Sequence, residues 1–424
     1  MALTFQYPPR MTMNSDSWTP PEGATLFAWF LEVAQEAERS PDLLALIYPE
    51  QVDTFSCSLC GQCCQQPWQI QVDADYYAQW YAVFDQHPSG RFREPFIFSG
   101  QNTDERAVLR HQPGSTRCVF LDEDLLCFIH KEYGESAKPE ICQRYPREAS
   151  LSANLYSPSL KSSCKTAAQL LSETGELVLR MVQRPAQLSQ EPEWLRLNQK
   201  QELPAQYLLP FYGLLLEGIW QHSISAVRSL RGCLKGLQIL NSEPDSLQTE
   251  AGITQLYLEQ VNHWRSDIHV YPTRWEEAID LFSALNPFPS PALERFLKQL
   301  QKGLPYEISE SLRAQIGEVL RNYLTRRLLN LNPYQAKGLT LFQFVFLQAY
   351  SLLAVQIQAL ALGWYDTQVL KPEHLRAAIN QFETAALQNP AWFDRHQLEA
   401  LDEATCLAAI RAATCLDLSL PAIV

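Results

Sequence analysis

The chain has 424 residues, 46% hydrophobic and 19% charged, a globular composition long enough for two or three domains. Its formal net charge is −13, with no basic stripe to neutralise phosphates, so a nucleic-acid partner is not expected. The polar, proline-bearing opening from Met1 to Gly23 lacks an apolar signal core, which makes the cytoplasm the expected location.

In chain order, Ala24 to Arg39 has Phe27, Phe30, Leu31 and Ala34 at helical spacing, between Gly23 and Ser40-Pro41 as stops. Cys57, Cys60, Cys63 and Cys64 then fall within eight residues, a density no hydrophobic core requires. The Cys-x-x-Cys-x-x-Cys spacing lets successive sulfurs turn toward one centre, as in the first three ligands of a bacterial ferredoxin. It is not the three-then-two spacing of radical S-adenosylmethionine enzymes. Neighbouring side chains diverge, so Cys63 and Cys64 are not expected to serve one metal equally.

Alternation places Trp68, Ile70 and Val72 on one face of a short strand. Asp73 caps a helix running to Phe84, whose Tyr76, Tyr77, Trp80, Tyr81 and Phe84 make an aromatic stripe fit for packing. Residues 87–117 are turn-rich, with short extended pieces at Phe96–Phe98 and Ala107–Leu109. A second group of thiols follows: Cys118 and Cys127 around an acidic turn, Cys142 just before Tyr145-Pro146, and Cys164 at the head of a helix starting near Thr166. A helix is expected from Phe128 to Gly134; His130, three positions beyond Cys127, reads as a polar surface residue or a support for the ligands rather than as a ligand itself.

Past the proline-bearing stretch 184–206, nearly every segment reads as helix: 207–239, 273–285, 291–302, 308–331, 341–362, 374–387 and 397–413. The stretch Gly338 to Tyr365 has no Asp, Glu, Lys or Arg. Its Gln343, Gln348, Gln356 and Gln358 would be costly in lipid, so a buried core helix is expected and no membrane span. Cys233, Cys406 and Cys415 read as buried structural thiols. The expected fold class is mainly α. An N-terminal segment with one helix (1–50) precedes a cysteine-rich metal-binding region with short strands (51–183) and a helical domain (184–424).

Clustered cysteines in a reducing compartment bind metal more often than they form disulfides. The candidate ligands are Cys57, Cys60, Cys63, Cys64, Cys118, Cys127, Cys142 and Cys164. They allow one iron–sulfur cluster (4Fe-4S) with spare thiols, two sites for zinc or iron, or a mixture. No glycine-rich dinucleotide loop, Walker loop or hydrolase triad is legible, so catalytic and cofactor-binding residues are not assigned.

These residues resemble the YkgJ-type cysteine cluster family, with its Cys-x-x-Cys-x-x-Cys-Cys, its Cys…Leu…Cys and its Cys-x-x-[Tyr/Phe]-Pro. Here those are Cys57, Cys60, Cys63, Cys64, then Cys118, Leu121, Cys127, then Cys142, Tyr145, Pro146. Within it the flagellin lysine-N-methylase (FliB-like) branch looks nearest, through Trp68, Ile70, Val72 and Asp73, the run Phe120 to Cys127, and Leu160, Ser163, Cys164, Ala167 and Ala168. The likeness covers residues 50–175. It implies methyl transfer from S-adenosylmethionine to a lysine of a protein substrate, with an iron–sulfur or metal centre. The alternative is a metal- or cluster-binding protein without methylase activity, in storage, delivery or redox sensing. Ser58-Leu59 stand where the branch carries a glycine and a nearby acidic residue, which bears on substrate identity.

Overall fold

In a computed structural model, residues 26–418 are described apart from 99–106, 153–154, 174, 185–193, 199, 205–207, 221–224, 244–248, 250–251, 253, 257, 260–274, 287–289, 306, 330–338 and 389–400. The fold is mainly α, with short strands around the cysteine region and helices beyond it.

A mixed four-stranded sheet joins the two parts. Helix α1 (Leu26–Arg39) leads into β1 (Leu43–Pro49), followed by the single turn α2 (Gln51–Thr54). In the cysteine region come β2 (Gln71–Val72), α3 (Ala74–Asp85), β3 (Phe96–Phe98), β4 (Ala107–Leu109), α4 (Phe128–Tyr133) and α5 (Glu140–Arg144). The hairpin β5 (Arg147–Ser152) and β6 (Leu155–Leu160), helix α6 (Lys165–Leu170) and β7 (Leu177–Gln183) close it. The sheet order is β5-β6-β1-β7, with β1 parallel to β6 and antiparallel to β7.

Strand β1 is buried on both faces, which explains its unbroken apolar sequence. Ala45 and Ile47 point into the large helical core; Leu44, Leu46 and Tyr48 point to the other side, against Val52, Phe55, Leu160 and Ala167. A continuous apolar run has no period-2 signature, so sequence patterning gave no sign of this strand.

The β2-β4-β3 sheet packs with α3 and α4 around Phe84, Phe92, Phe120 and Phe128, a separate aromatic core. Asp73 caps α3 as expected, its carboxylate accepting from the Tyr76 N–H at 2.7 Å. The stripe on α3 is packing material: Trp80 stacks on Phe84 at 5.2 Å, and Phe84 meets Phe120 at 4.7 Å.

A hairpin of β8 (Trp194–Arg196) and β9 (Glu202–Pro204) leads to the helices. These are α7 (Leu208–Trp220), α8 (Ala226–Ser242), α9 (Trp275–Leu285), α10 (Pro291–Leu300), α11 (Glu310–Leu329), α12 (Leu341–Asp366), α13 (Pro372–Gln388) and α14 (Glu403–Ala413). The stretch 207–239, expected as one helix, is two. Ser225 restarts the chain as the N-cap of α8, accepting from the Arg228 N–H.

Helix α12 is long and apolar enough to cross a bilayer, yet 83% of its most apolar window is buried inside the protein. Three of its four glutamines are hydrogen-bonded there, while the Gln358 side-chain oxygen is buried without a partner. Gln343 completes a capping box with Thr340, Gln348 accepts from Arg327 Nε at 2.8 Å, and Gln356 accepts from the Leu418 N–H at 2.8 Å. Cys233 and Cys406 are buried, and burial pushes each thiol up to about 12. Cys415 lies just past α14 and is half-buried.

Candidate metal centre

All eight cysteines from Cys57 to Cys164 line one cavity of about 680 Å³. Four segments deliver them: the 57–64 loop, the 118–127 turn, α5 with Cys142, and Cys164 just before α6.

The loop before β2 carries the first four thiols. Gly61 has φ +67°, and a Cβ there would collide with the Leu125 carbonyl. Only glycine lets this loop touch the acidic turn between Cys118 and Cys127. The Cys118 N–H then donates to the Cys64 carbonyl at 2.7 Å. Those two contacts join the first thiol group to the second.

The turn itself is built by charge. Asp122 accepts from Arg91 at 2.6 Å and from Lys131 at 3.0 Å, and Lys131 also reaches Asp124 at 2.9 Å. An isolated bridge pairs Leu121 with Cys127, so Cys118 and Cys127 come to the same side. Cys142 sits on α5. Beyond it the Tyr145 ring lies 5.1 Å from Trp68, while its hydroxyl shares a 3.1 Å hydrogen bond with Ser163 beside Cys164. Trp68 and Tyr145, read in sequence as a strand residue and a motif residue, are walls of the cavity that link its two ends. The Tyr145–Pro146 peptide is cis.

Cys57 and Cys60 are exposed and the other six thiols half-buried. Ser58 bonds Thr166 at 2.5 Å, tying the Cys57–Cys60 loop to the first turn of α6, directly after Cys164. Arg147 donates to the Phe55 carbonyl at 2.9 Å and lies over the Phe55 ring, fixing the entry to the first thiol loop.

Thiol chemistry varies around the cavity. The Cys63 and Cys64 sulfurs are 3.9 Å apart. The hydrogen bond from Cys64 stabilises a Cys63 thiolate, bringing it down to about 7, and the same bond, with burial, holds Cys64 up as a thiol. The pair is therefore unequal in acidity, and its inequality comes from contact between the two sulfurs, not from divergence of the side chains. Burial pushes Cys118 up to about 12 and Cys164 up to about 11, and raises Cys127 and Cys142. The largely buried Lys138 ammonium opposes this by favouring the thiolates of Cys63, Cys127 and Cys142. His130 also lines the cavity.

Among the described residues, no three His, Cys, Asp or Glu side chains converge as a closed ligand set. The donor set nonetheless suits zinc or iron: soft sulfur donors share one partly open cavity, one thiol ionises near neutral pH, and a buried cation offsets the charge of thiolates.

The sequence model of the CxxCxxCC family, described as "Putative zinc- or iron-chelating domain", matches residues 56–165. The chain is 25% identical over 134 residues to the flagellar biosynthetic protein FliU of Salmonella muenchen, covering 31% of this chain and 79% of that one. It is likewise 25% identical over 134 residues to the lysine-N-methylases of Salmonella typhimurium and Salmonella choleraesuis, covering 31% of this chain and only a third of theirs. No solved structure matches. Residues 56–165 thus carry the cysteine-cluster domain of the CxxCxxCC family, the family that the order of their thiols resembles.

Proposed function

We propose that this protein holds zinc or iron through thiols drawn from Cys57, Cys60, Cys63, Cys64, Cys118, Cys127, Cys142 and Cys164, and that around this centre it methylates lysine in a protein substrate. The observation that carries the metal reading is that four segments converge to put all eight thiols on one cavity. In this reading residues 51–183 are the metal-binding domain, residues 184–424 the helical domain, and the cytoplasm its place of work.

The methylase reading rests on the relatives named lysine-N-methylase, and it adds a protein partner and S-adenosylmethionine to the metal. The cavity lies within the ~300–1,000 Å³ range usual for small-molecule sites, so it has room for more than an ion. S-Adenosylmethionine would supply the methyl group to a neutral lysine amine, with S-adenosylhomocysteine and a proton released to solvent as the other products. The protein's own contribution is to bind and exclude water: Trp68 and Tyr145 offer aromatic walls, while Lys138, Arg147, Lys161 and Lys165 supply positive charge.

Anaerobic purification with iron, zinc and acid-labile sulfide analysis tests the first claim. A brown, sulfide-containing protein supports a 4Fe-4S cluster, colourless protein with stoichiometric zinc supports zinc, and protein with neither refutes metal binding. Calorimetry of the metal-loaded protein with S-adenosylmethionine tests the second; no binding refutes the methylase.

A second reading, metal binding for storage, delivery or redox sensing without methyl transfer, is favoured by two observations. Similarity to the lysine-N-methylases spans a third of their length, and this chain has no glycine-rich nucleotide loop. Metal-loaded protein that binds no S-adenosylmethionine would select it.

A further inference from the structure

Helix α13 belongs to the helical part, yet one face of it reaches two of the loops that carry the thiols. Arg376, Asn380 and Glu383 are spaced four and three apart, so they form a polar stripe on one side. Leu375, Ala378, Ile379 and Phe382 are buried in the helical core. Each member of the stripe crosses to another element. Arg376 donates to Ser172 Oγ at 2.7 Å, and Glu383 receives Arg326 at 3.0 Å and Arg327 at 2.6 Å from α11.

Asn380 does something different from its neighbours. Its Nδ2 donates to the Ser162 carbonyl at 2.9 Å and the Ser163 carbonyl at 2.8 Å, directly before Cys164. Its Oδ1 accepts from Gln62 Nε2 at 3.1 Å, directly before Cys63. Two carbonyls can only accept, so the amide orientation is fixed by its partners. The side chain is buried, and both its N–H groups and its oxygen are engaged by these two loops.

We infer that Asn380 is a positioning residue for the thiol site, a clamp from the helical domain that holds the Cys60–Cys63 loop and the Cys164 loop in register. It lies far outside residues 56–165, so the cysteine-cluster domain of this chain is completed by a residue that its family match does not include. A carboxylate cannot replace the amide, since Asp would lose both donors and face two carbonyls. A hydrocarbon would leave those carbonyls and Gln62 without their partner. The metal consequence of the clamp rests on the metal-binding reading above; its effect on the thiols does not.

The test uses the full chain. Metal-free wild type, Asn380→Ala, Asn380→Asp, Gln62→Ala and the Gln62→Ala/Asn380→Ala double variant are labelled with a maleimide, and rates at each cysteine are mapped by mass spectrometry. Arg376→Ala, which removes a docking bond on the same helix, controls for loosening of α13 as a whole. Zinc affinity is measured by competition with a chromophoric chelator, and stability by urea midpoint.

Both Asn380 variants should speed labelling of Cys60, Cys63 and Cys164 several-fold while Cys233 stays protected, and should weaken zinc binding by about 10- to 100-fold. Gln62→Ala should affect Cys60 and Cys63 but spare Cys164, and the double variant should be no worse than Asn380→Ala. Arg376→Ala should lower the urea midpoint without changing the labelling pattern. Wild-type labelling in Asn380→Ala overturns the inference, as does an equal rise at all cysteines matched by Arg376→Ala. If the wild type binds neither zinc nor iron, the metal-binding reading fails, while the labelling of the metal-free chain still decides the role of Asn380.

Discussion

Gly61→Ala is the sharpest single perturbation of the thiol cavity. The residue sits at φ +67°, where an L side chain costs ~1–2 kcal/mol. Its new Cβ would also overlap the Leu125 carbonyl, which belongs to the turn that brings Cys118 and Cys127 together. A backbone oxygen cannot swing aside as a side chain does, so this overlap adds a further ~1–3 kcal/mol of overpacking. The sum, ~2–5 kcal/mol, is relieved by separating the two loops that meet there. Because ~1.4 kcal/mol is tenfold in affinity, zinc binding should weaken by at least about 30-fold. The large helical core does not touch Gly61, so its unfolding should stay close to that of wild type. Chelator competition gives the affinity, and circular dichroism on urea titration gives the stability of the helices. A Gly61→Ala protein with wild-type zinc affinity and unchanged maleimide labelling of Cys60 and Cys118 would show that the two thiol groups do not depend on this contact.

Three further outcomes follow from the same structure. Cys60→Ala and Cys142→Ala should lose bound metal while Cys233→Ala keeps it, as read by elemental analysis; equal content in all three would refute the site. Glu383→Gln should lower stability by ~3–5 kcal/mol, because it removes the buried carboxylate that Arg326 and Arg327 share while Arg326 keeps Glu148 at 3.5 Å, and an unchanged urea midpoint would contradict that. Burial raises the Glu383 carboxyl, but Arg326, Arg327 and the Tyr323 hydroxyl outweigh it and hold the group at about 2, against ~4.3 in an unfolded chain. This contribution, at most about 3 kcal/mol, is therefore present above pH ~4.3 and lost as pH falls toward 2. Glu383→Gln should flatten that acid limb, and an identical pH profile in both proteins would count against it.

The thiol positions were legible in the sequence because metal ligation demands a residue type at a spacing, and Cys57 to Cys164 display both. The capped helix after Asp73, the short extended pieces at Phe96 and Ala107, and most of the later helices were legible too, since caps and periodicity are local. Strand β1 was not. A strand buried on both faces shows neither alternation nor helical period, so Leu43–Pro49 looked featureless although it is the middle of the joining sheet. The hairpin β5–β6 and strand β7 escaped for a related reason: their pairing partners lie outside their own segments or depend on β1.

By itself, then, the order of residues determined which side chains could hold a metal, that the aromatic stripe of α3 would pack, and that the apolar run of α12 would be a core helix with polar anchors. Only the tertiary structure decided how the thiols meet. Gly61 against Leu125, Ser58 against Thr166, Tyr145 against Ser163 and Asn380 across both loops are contacts between segments distant in the chain. Sequence spacing carries the reach of one loop. Closing several loops on one cavity depends on hydrogen bonds whose partners are chosen by packing, and Asn380 belongs to a helix whose docking no local pattern announces.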